Sequence, residues 1–192
     1  MSGIINATNL EVANIKDSTG TNTAMTIASN GGVSGIATTL TEQATTSGTS
    51  IDFTVPNTAK VIYVGFLGCS FSGSNDDWAI RLGTSGGIVS SGYESTVSFT
   101  GGGATPSGAN SQSTSSFPIW YSASAGNVVY GQVTITNMGG NKFTTQGNLR
   151  GGGYIGVSSG YVSLGGSITT VRVITQNGRT FDAGAVNVTY IE

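Results

Sequence analysis

Residues 50–67 read Ser50-Ile-Asp-Phe-Thr-Val-Pro-Asn-Thr-Ala-Lys-Val-Ile-Tyr-Val-Gly-Phe-Leu67, and they decide the fold class. The first six alternate: Ile51, Phe53 and Val55 fall on one face of an extended chain, Ser50, Asp52 and Thr54 on the other. That period of two fits a half-buried strand and cannot line one face of a helix. Val61 to Leu67 is apolar on both faces and predicts a central strand covered from two sides.

The same signature recurs along the chain. Asn127 to Thr136 sets Val129, Val133 and Ile135 on one face, and Ala185 to Ile191 aligns Val186, Val188 and Tyr190. Ile168 to Thr175, Trp78 to Leu82, Ile88 to Tyr93, Phe117 to Ser122, Lys142 to Gln146 and Gly153 to Val157 are further strand candidates. Gly- and Asn-rich punctuation separates them at Gly73–Asp76, Gly86-Gly87 and Gly139–Asn141, and Asn177-Gly178 is the strongest short-hairpin signal. Short strands with turns roughly every 8–12 residues predict an all-β protein, an antiparallel β-sandwich of jelly-roll-like type. Trp78, inside Trp-Ala-Ile-Arg-Leu, reads as core. Thr100 to Ser116, rich in Gly, Ser and Thr, reads as a long exposed loop.

Residues 1–46 differ in pattern. Leu10, Val12 and Ile15, then Met25 and Ile27, predict two short strands around Asp17-Ser-Thr-Gly20. A lone hairpin buries too little apolar area to offset its ordering entropy. Residues 1–33 are therefore expected to dock elsewhere as a short extended or β-hairpin anchor segment, with Ile5, Leu10, Val12, Ile15, Met25 and Ile27 as its apolar contacts. Residues 34–46, rich in Thr, Ser and Gly, read as a linker, and 47–192 as the sandwich.

Composition narrows the chemistry. The chain has 31 glycines, no histidine and 8% charged residues, against about 25% in an ordinary soluble domain. Hydroxyls, amides and bare backbone must therefore keep its surface wet. A net charge of −2 with singly scattered cations gives no nucleic-acid face and no polybasic membrane patch. No apolar run approaches the roughly 20 residues of a membrane helix, so membrane insertion is not expected. The start lacks the basic and apolar regions of a signal peptide, which predicts synthesis in a host cytoplasm without standard export. Cys69, alone, reads as a small buried hydrophobe.

Without histidine there is no Ser-His or Cys-His catalysis and no His-ligated metal. Paired carboxylates are the remaining enzymatic option, with Asp76 and Asp77 adjacent and Asp52, Glu94 and Asp182 elsewhere, but sequence neighbours rarely flank one glycosidic bond. Asn75-Asp-Asp77 reads as a turn rather than a calcium loop. Neither Gly-Gly-Gly run leads a helix or precedes Lys-Ser/Thr, so neither is a phosphate loop. No catalytic residue, metal or cofactor is expected. Tyr93, Trp120, Tyr121, Tyr154 and Tyr161, beside Gly/Ser-rich stretches, are the candidate receptor-contact or interface aromatics, set against the alternative that they fill the core.

The opening Ile5-Asn-Ala-Thr-Asn-Leu-Glu-Val-Ala-Asn-Ile-Lys-Asp-Ser-Thr-Gly-Thr-Asn-Thr-Ala-Met-Thr-Ile27 resembles the N-terminal segment of marine tailed-phage structural proteins. Ser47–Phe53, Gly83–Tyr93 and Thr180–Tyr190 resemble pieces of a C-terminal jelly-roll-like β-domain of phage fibre and virion-surface proteins. The resemblance implies a virion protein, usually a homotrimer, whose domain faces the host, and it transfers no catalytic motif. The chain is short for a fibre and has no shaft repeat.

The expected function is a short tail fibre, fibre tip or receptor-binding protein, located on the tail rather than the capsid. It would join other virion proteins through its N-terminal segment and contact a host surface glycan or protein. The alternative is a capsid decoration or head-fibre protein, and the last reading is a glycan-degrading tailspike enzyme.

Overall fold

The structure, a computed structural model, describes residues 14–16, 23–27, 33–34, 37–73, 75–101, 107–123 and 127–192. The chain divides into two compact units, Met1–Thr38 and Thr39–Glu192. The first unit holds β1 (Asn14–Lys16), β2 (Thr23–Ile27) and β3 (Val33–Ser34), in the order β1-β2-β3 with Ile15 opposite Met25 and Ile27 opposite Val33. Ile15, Met25 and Ile27 of the expected anchor are thus on paired strands; Ile5, Leu10, Val12 and the turn at Asp17–Gly20 lie outside the described residues.

The remaining strands are β4 (Ala37–Thr39), β5 (Gln43–Ala44), β6 (Ser50–Thr54), β7 (Val61–Phe71), β8 (Asp76–Thr84), β9 (Gly87–Ile88) and β10 (Tyr93–Gly101). There follow β11 (Ser107–Ser113), β12 (Phe117–Ala123), β13 (Val129–Asn137), β14 (Lys142–Gly151), β15 (Tyr154–Ser163), β16 (Ile168–Thr175) and β17 (Phe181–Ile191). Among the described residues they form two antiparallel sheets. The large one runs β11-β10-β15-β14-β13-β7-β17-β4, with β5 also on β17, and the small one runs β12-β8-β16-β6, with β9 on β8.

Eight of these strands make a jelly roll. In the set β5, β6, β7, β8, β12, β13, β16, β17, the first pairs the eighth (Ala44 with Ala185) and the second the seventh (Phe53 with Val171). The third pairs the sixth (Val64 with Val133) and the fourth the fifth (Trp78 with Trp120). Contacts of β17 with β7 and of β16 with β8 then join these pairs into two facing sheets. Two insertions, β10–β11 and β14–β15, extend the large sheet beyond β13.

The core lies between the sheets. Ile51 and Phe53 of β6, Ile62, Val64 and Phe66 of β7, Val133 and Ile135 of β13, and Val186 and Val188 of β17 are all buried, as their alternation predicts. Trp78 stacks on Phe181 at 5.0 Å between ring centres and meets Phe66 edge-on at 6.0 Å. Cys69 is fully buried, and burial raises the pKa of its thiol.

Four expectations are corrected. Val61–Leu67 is central in its sheet but covered on one face only: Val61 and Tyr63 are half-buried and Leu67 is 62% exposed. Asn177-Gly178 makes a tight turn, yet β16 and β17 enter different sheets, so it is a crossover and not a hairpin. Residues 107–113, expected in a loop, form an edge strand registered on β10 from Ser95–Ser113 to Gly101–Ser107. A backbone ladder needs no apolar side chains when its neighbour supplies them. Within 34–46, expected as a linker, Ala37–Thr39 and Gln43–Ala44 are strands, and buried Thr45 donates its hydroxyl to Ala183 O at 2.6 Å.

Candidate functional site: a groove on the extended sheet

The inserted strands β10, β11, β14 and β15 carry a surface groove. Four of their inward positions are small: Gly147 on β14, and Gly156, Ser158 and Gly160 on β15. Beneath them β12 presents Phe117 and Trp120. A Cβ on Gly156 would sit 2.7 Å from the Trp120 ring, and one on Gly160 would sit 2.6 Å from the Phe117 ring. Glycine in these strands serves close approach of sheet to ring.

Tyr93 fixes the floor. Its ring is buried edge-on to Phe117 at 4.8 Å; its hydroxyl donates to Val89 O at 3.1 Å and accepts from Leu82 N at 2.8 Å. Burial raises its pKa, so it stays neutral at ordinary pH. Ser95 then donates to Ser113 O and Ser116 O, tying the end of β11 to β10.

Above this floor lies an open groove of about 760 Å³. Cross-strand register builds its wall in two rows: Glu94, Tyr161 and Thr144, then Gln112, Thr96 and Ser159. Glu94 is its single charged lining residue. Among the described residues, the side chains of Glu94, Gln112, Thr144, Ser159 and Tyr161 have no hydrogen-bond partner, so their donors and acceptors face outward. The set can accept and donate hydrogen bonds around one half-buried ring.

The five sequence-chosen aromatics separate. Tyr161 lines the groove. Tyr93 and Trp120, 1% and 2% exposed, are core residues and cannot serve as receptor contacts: one fills the floor, the other packs on Gly156. Tyr121 and Tyr154 are half-buried around Phe99, with ring centres 5.6 and 5.3 Å from it, and Trp120 is 6.2 Å from the same ring. They form an aromatic cluster toward the opposite end of β10 and β15, which would stiffen that end.

The carboxylates do not assemble. Asp76, 2% exposed, is the first residue of β8 rather than part of a turn and holds Asn177, while Asp52 pairs with Arg172 at 2.6 Å. Asp182 accepts from Ser70, and Glu94 alone reaches the groove. No cluster of three metal-ligating side chains occurs among the described residues. Gln112, Thr144 and Ser159 carried no signal in the sequence, because only strand register places them beside Tyr161. No family model matches the chain, and no curated protein or solved structure matches it either.

Proposed function

We propose that this chain is a phage virion structural protein, a short tail fibre or fibre tip. It attaches through residues 1–33, assembles as a homotrimer and turns its sandwich toward the host. One observation carries the reading. The outer face of the large sheet bears two neighbouring rows, each seven strands wide, without a formal charge. One row is Gln112, Thr96, Ser159, Gln146, Thr134, Tyr63 and Thr189; the other is Asn110, Ser98, Val157, Asn148, Gln132, Gly65 and Asn187.

At about 4.8 Å per strand such a face is roughly 30 Å wide. Hydroxyls and amides keep it wet without ions, so it works unchanged in brine, where long-range charge steering is screened. Leu67, Ile155 and Val157, each more than half exposed, add apolar contacts that a second copy would cover, and trimerisation would multiply weak host contacts by avidity.

Gold labelling of intact virions with an antibody against residues 47–192 tests the reading. Label on the tail is expected. Label over the capsid replaces it with a decoration protein, and virions without label remove both.

A further inference from the structure

We propose that the groove between Glu94, Tyr161 and Gln112 is a binding site for a neutral oligosaccharide. The inference rests on the receptor-binding reading above and gives it an address and a ligand class.

The chemistry of the lining selects the ligand. Tyr161 presents a half-buried ring on the outer face, flanked in register by Glu94 on one side and Thr144 on the other. A ring held in this way offers a flat apolar surface for the C–H face of a pyranose, with a polar rim around it. An ionised carboxylate accepts two hydroxyl hydrogens in charge-assisted bonds. The Gln112 amide both donates and accepts, and Thr144 and Ser159 do the same through rotatable hydroxyls. A polyol, whose every hydroxyl is donor and acceptor, matches that set; a purely donating or purely accepting ligand does not.

Charge narrows it further. Glu94 is the sole charged lining residue, and no Lys or Arg faces it across the groove. An acidic sugar would place its carboxylate against Glu94 with no cation to compensate, whereas a neutral sugar meets no such penalty. Width agrees as well. The lining spans β11, β10, β15 and β14, three strand spacings or about 14 Å, room for two to three sugar rings rather than one. The site is also preformed. Tyr93 and Ser95 fix the strands from below through buried and part-buried hydrogen bonds, so the backbone under the site needs no ordering on binding.

The test is saturation-transfer NMR and calorimetry on the full chain with maltotriose, cellotriose, mannotriose and β-1,4-galactotriose, and with trigalacturonate as the acidic counterpart. Binding of at least one neutral trisaccharide is expected, with trigalacturonate weaker. Tyr161→Ala and Glu94→Gln should each weaken it by about tenfold or more, Tyr161→Phe by less, and Tyr130→Ala, on the same face outside the groove, not at all. Unchanged thermal melting of Glu94→Gln, whose side chain is exposed, separates loss of binding from loss of fold. Failure of all four neutral sugars, tighter binding of trigalacturonate, or binding indifferent to both groove variants would overturn the proposal. Tail labelling without sugar binding removes this site and leaves the fibre reading. Sugar binding by a protein that labels no virion keeps the site and removes that reading.

Discussion

Asp76 holds Asn177 across the end of the small sheet: both carboxylate oxygens accept from Asn177 N at 3.0 Å, and Oδ1 accepts from Asn177 Nδ2 at 2.8 Å. The same carboxylate accepts from its neighbour Asp77 N at 2.7 Å. Asp76 opens β8 and Asn177 follows β16, so this cluster fixes the point at which the chain leaves the small sheet for the large one.

Removing the carboxylate should leave several part-buried N–H groups without this acceptor. Asp76→Ala is expected to lower stability by about 2–3 kcal/mol, the scale of hydrogen bonds to a buried charge. Asp76→Asn should cost less. Urea unfolding of the two variants checks the order, and equal midpoints would show that the cluster does not hold the crossover.

The glycines of β15 are predicted to be intolerant for a reason of packing. Gly156→Val must displace Trp120 and should cost about 1–3 kcal/mol, accompanied by a shift in tryptophan emission. Gly165→Ala is the control, because a Cβ there meets nothing within 4 Å. Equal stability of the two variants would contradict the close approach of ring to strand.

Truncation should distinguish two N-terminal boundaries. Removing residues 1–36, which keeps β4, is expected to leave the melting temperature of the sandwich unchanged. Removing 1–46 also strips β4, β5, the Leu40 N–Val188 O bond at 2.8 Å and buried Thr45 from the edge of β17. That protein should melt lower and aggregate, since an unpaired edge is a template for intermolecular pairing. Identical melting of both truncations would mean that 37–46 contribute nothing to the sheet.

Alkali should destabilise the fold through two buried groups. Cys69 and Tyr93 have folded pKa values raised above their ordinary 9.0 and 10.0, mainly by burial. Both are neutral when protonated, so their contribution is constant below pH 9 and declines as pH rises above the unfolded values toward the folded ones. Urea midpoints from pH 7 to 11 should fall above pH 9, and Cys69→Ala should delay the onset. A thiol reagent should modify Cys69 only on unfolding.

Salt should matter little. The ion pair Arg172–Asp52 is partly exposed and of a kind contributing about 0–1 kcal/mol. Melting temperature and particle mass by light scattering should stay constant from 0.05 to 1 M NaCl, in keeping with the Debye lengths at these strengths. A steep loss of the assembled form would count against an uncharged interface.

The amino-acid sequence by itself determined the strands and their buried faces. Alternation in Ser50–Val55, Asn127–Thr136 and Ala185–Ile191 chose Ile51, Phe53, Val133, Ile135, Val186 and Val188 for the core, because side chains two residues apart must share a face. It also set the surface chemistry, since a chain with 8% charged residues has only amides, hydroxyls and backbone with which to meet water. Pairing across distance was decided by the tertiary structure alone. Whether Asn177-Gly178 joins partners or changes sheets, whether Trp120 faces solvent or Gly156, and whether Ser107–Ser113 is loop or edge depend on which strand lies alongside. Glu94, Gln112 and Tyr161 are far apart in sequence and meet only because β10, β11 and β15 lie in one register. Local pattern fixes which face a side chain takes; only the assembled sheet fixes its neighbours.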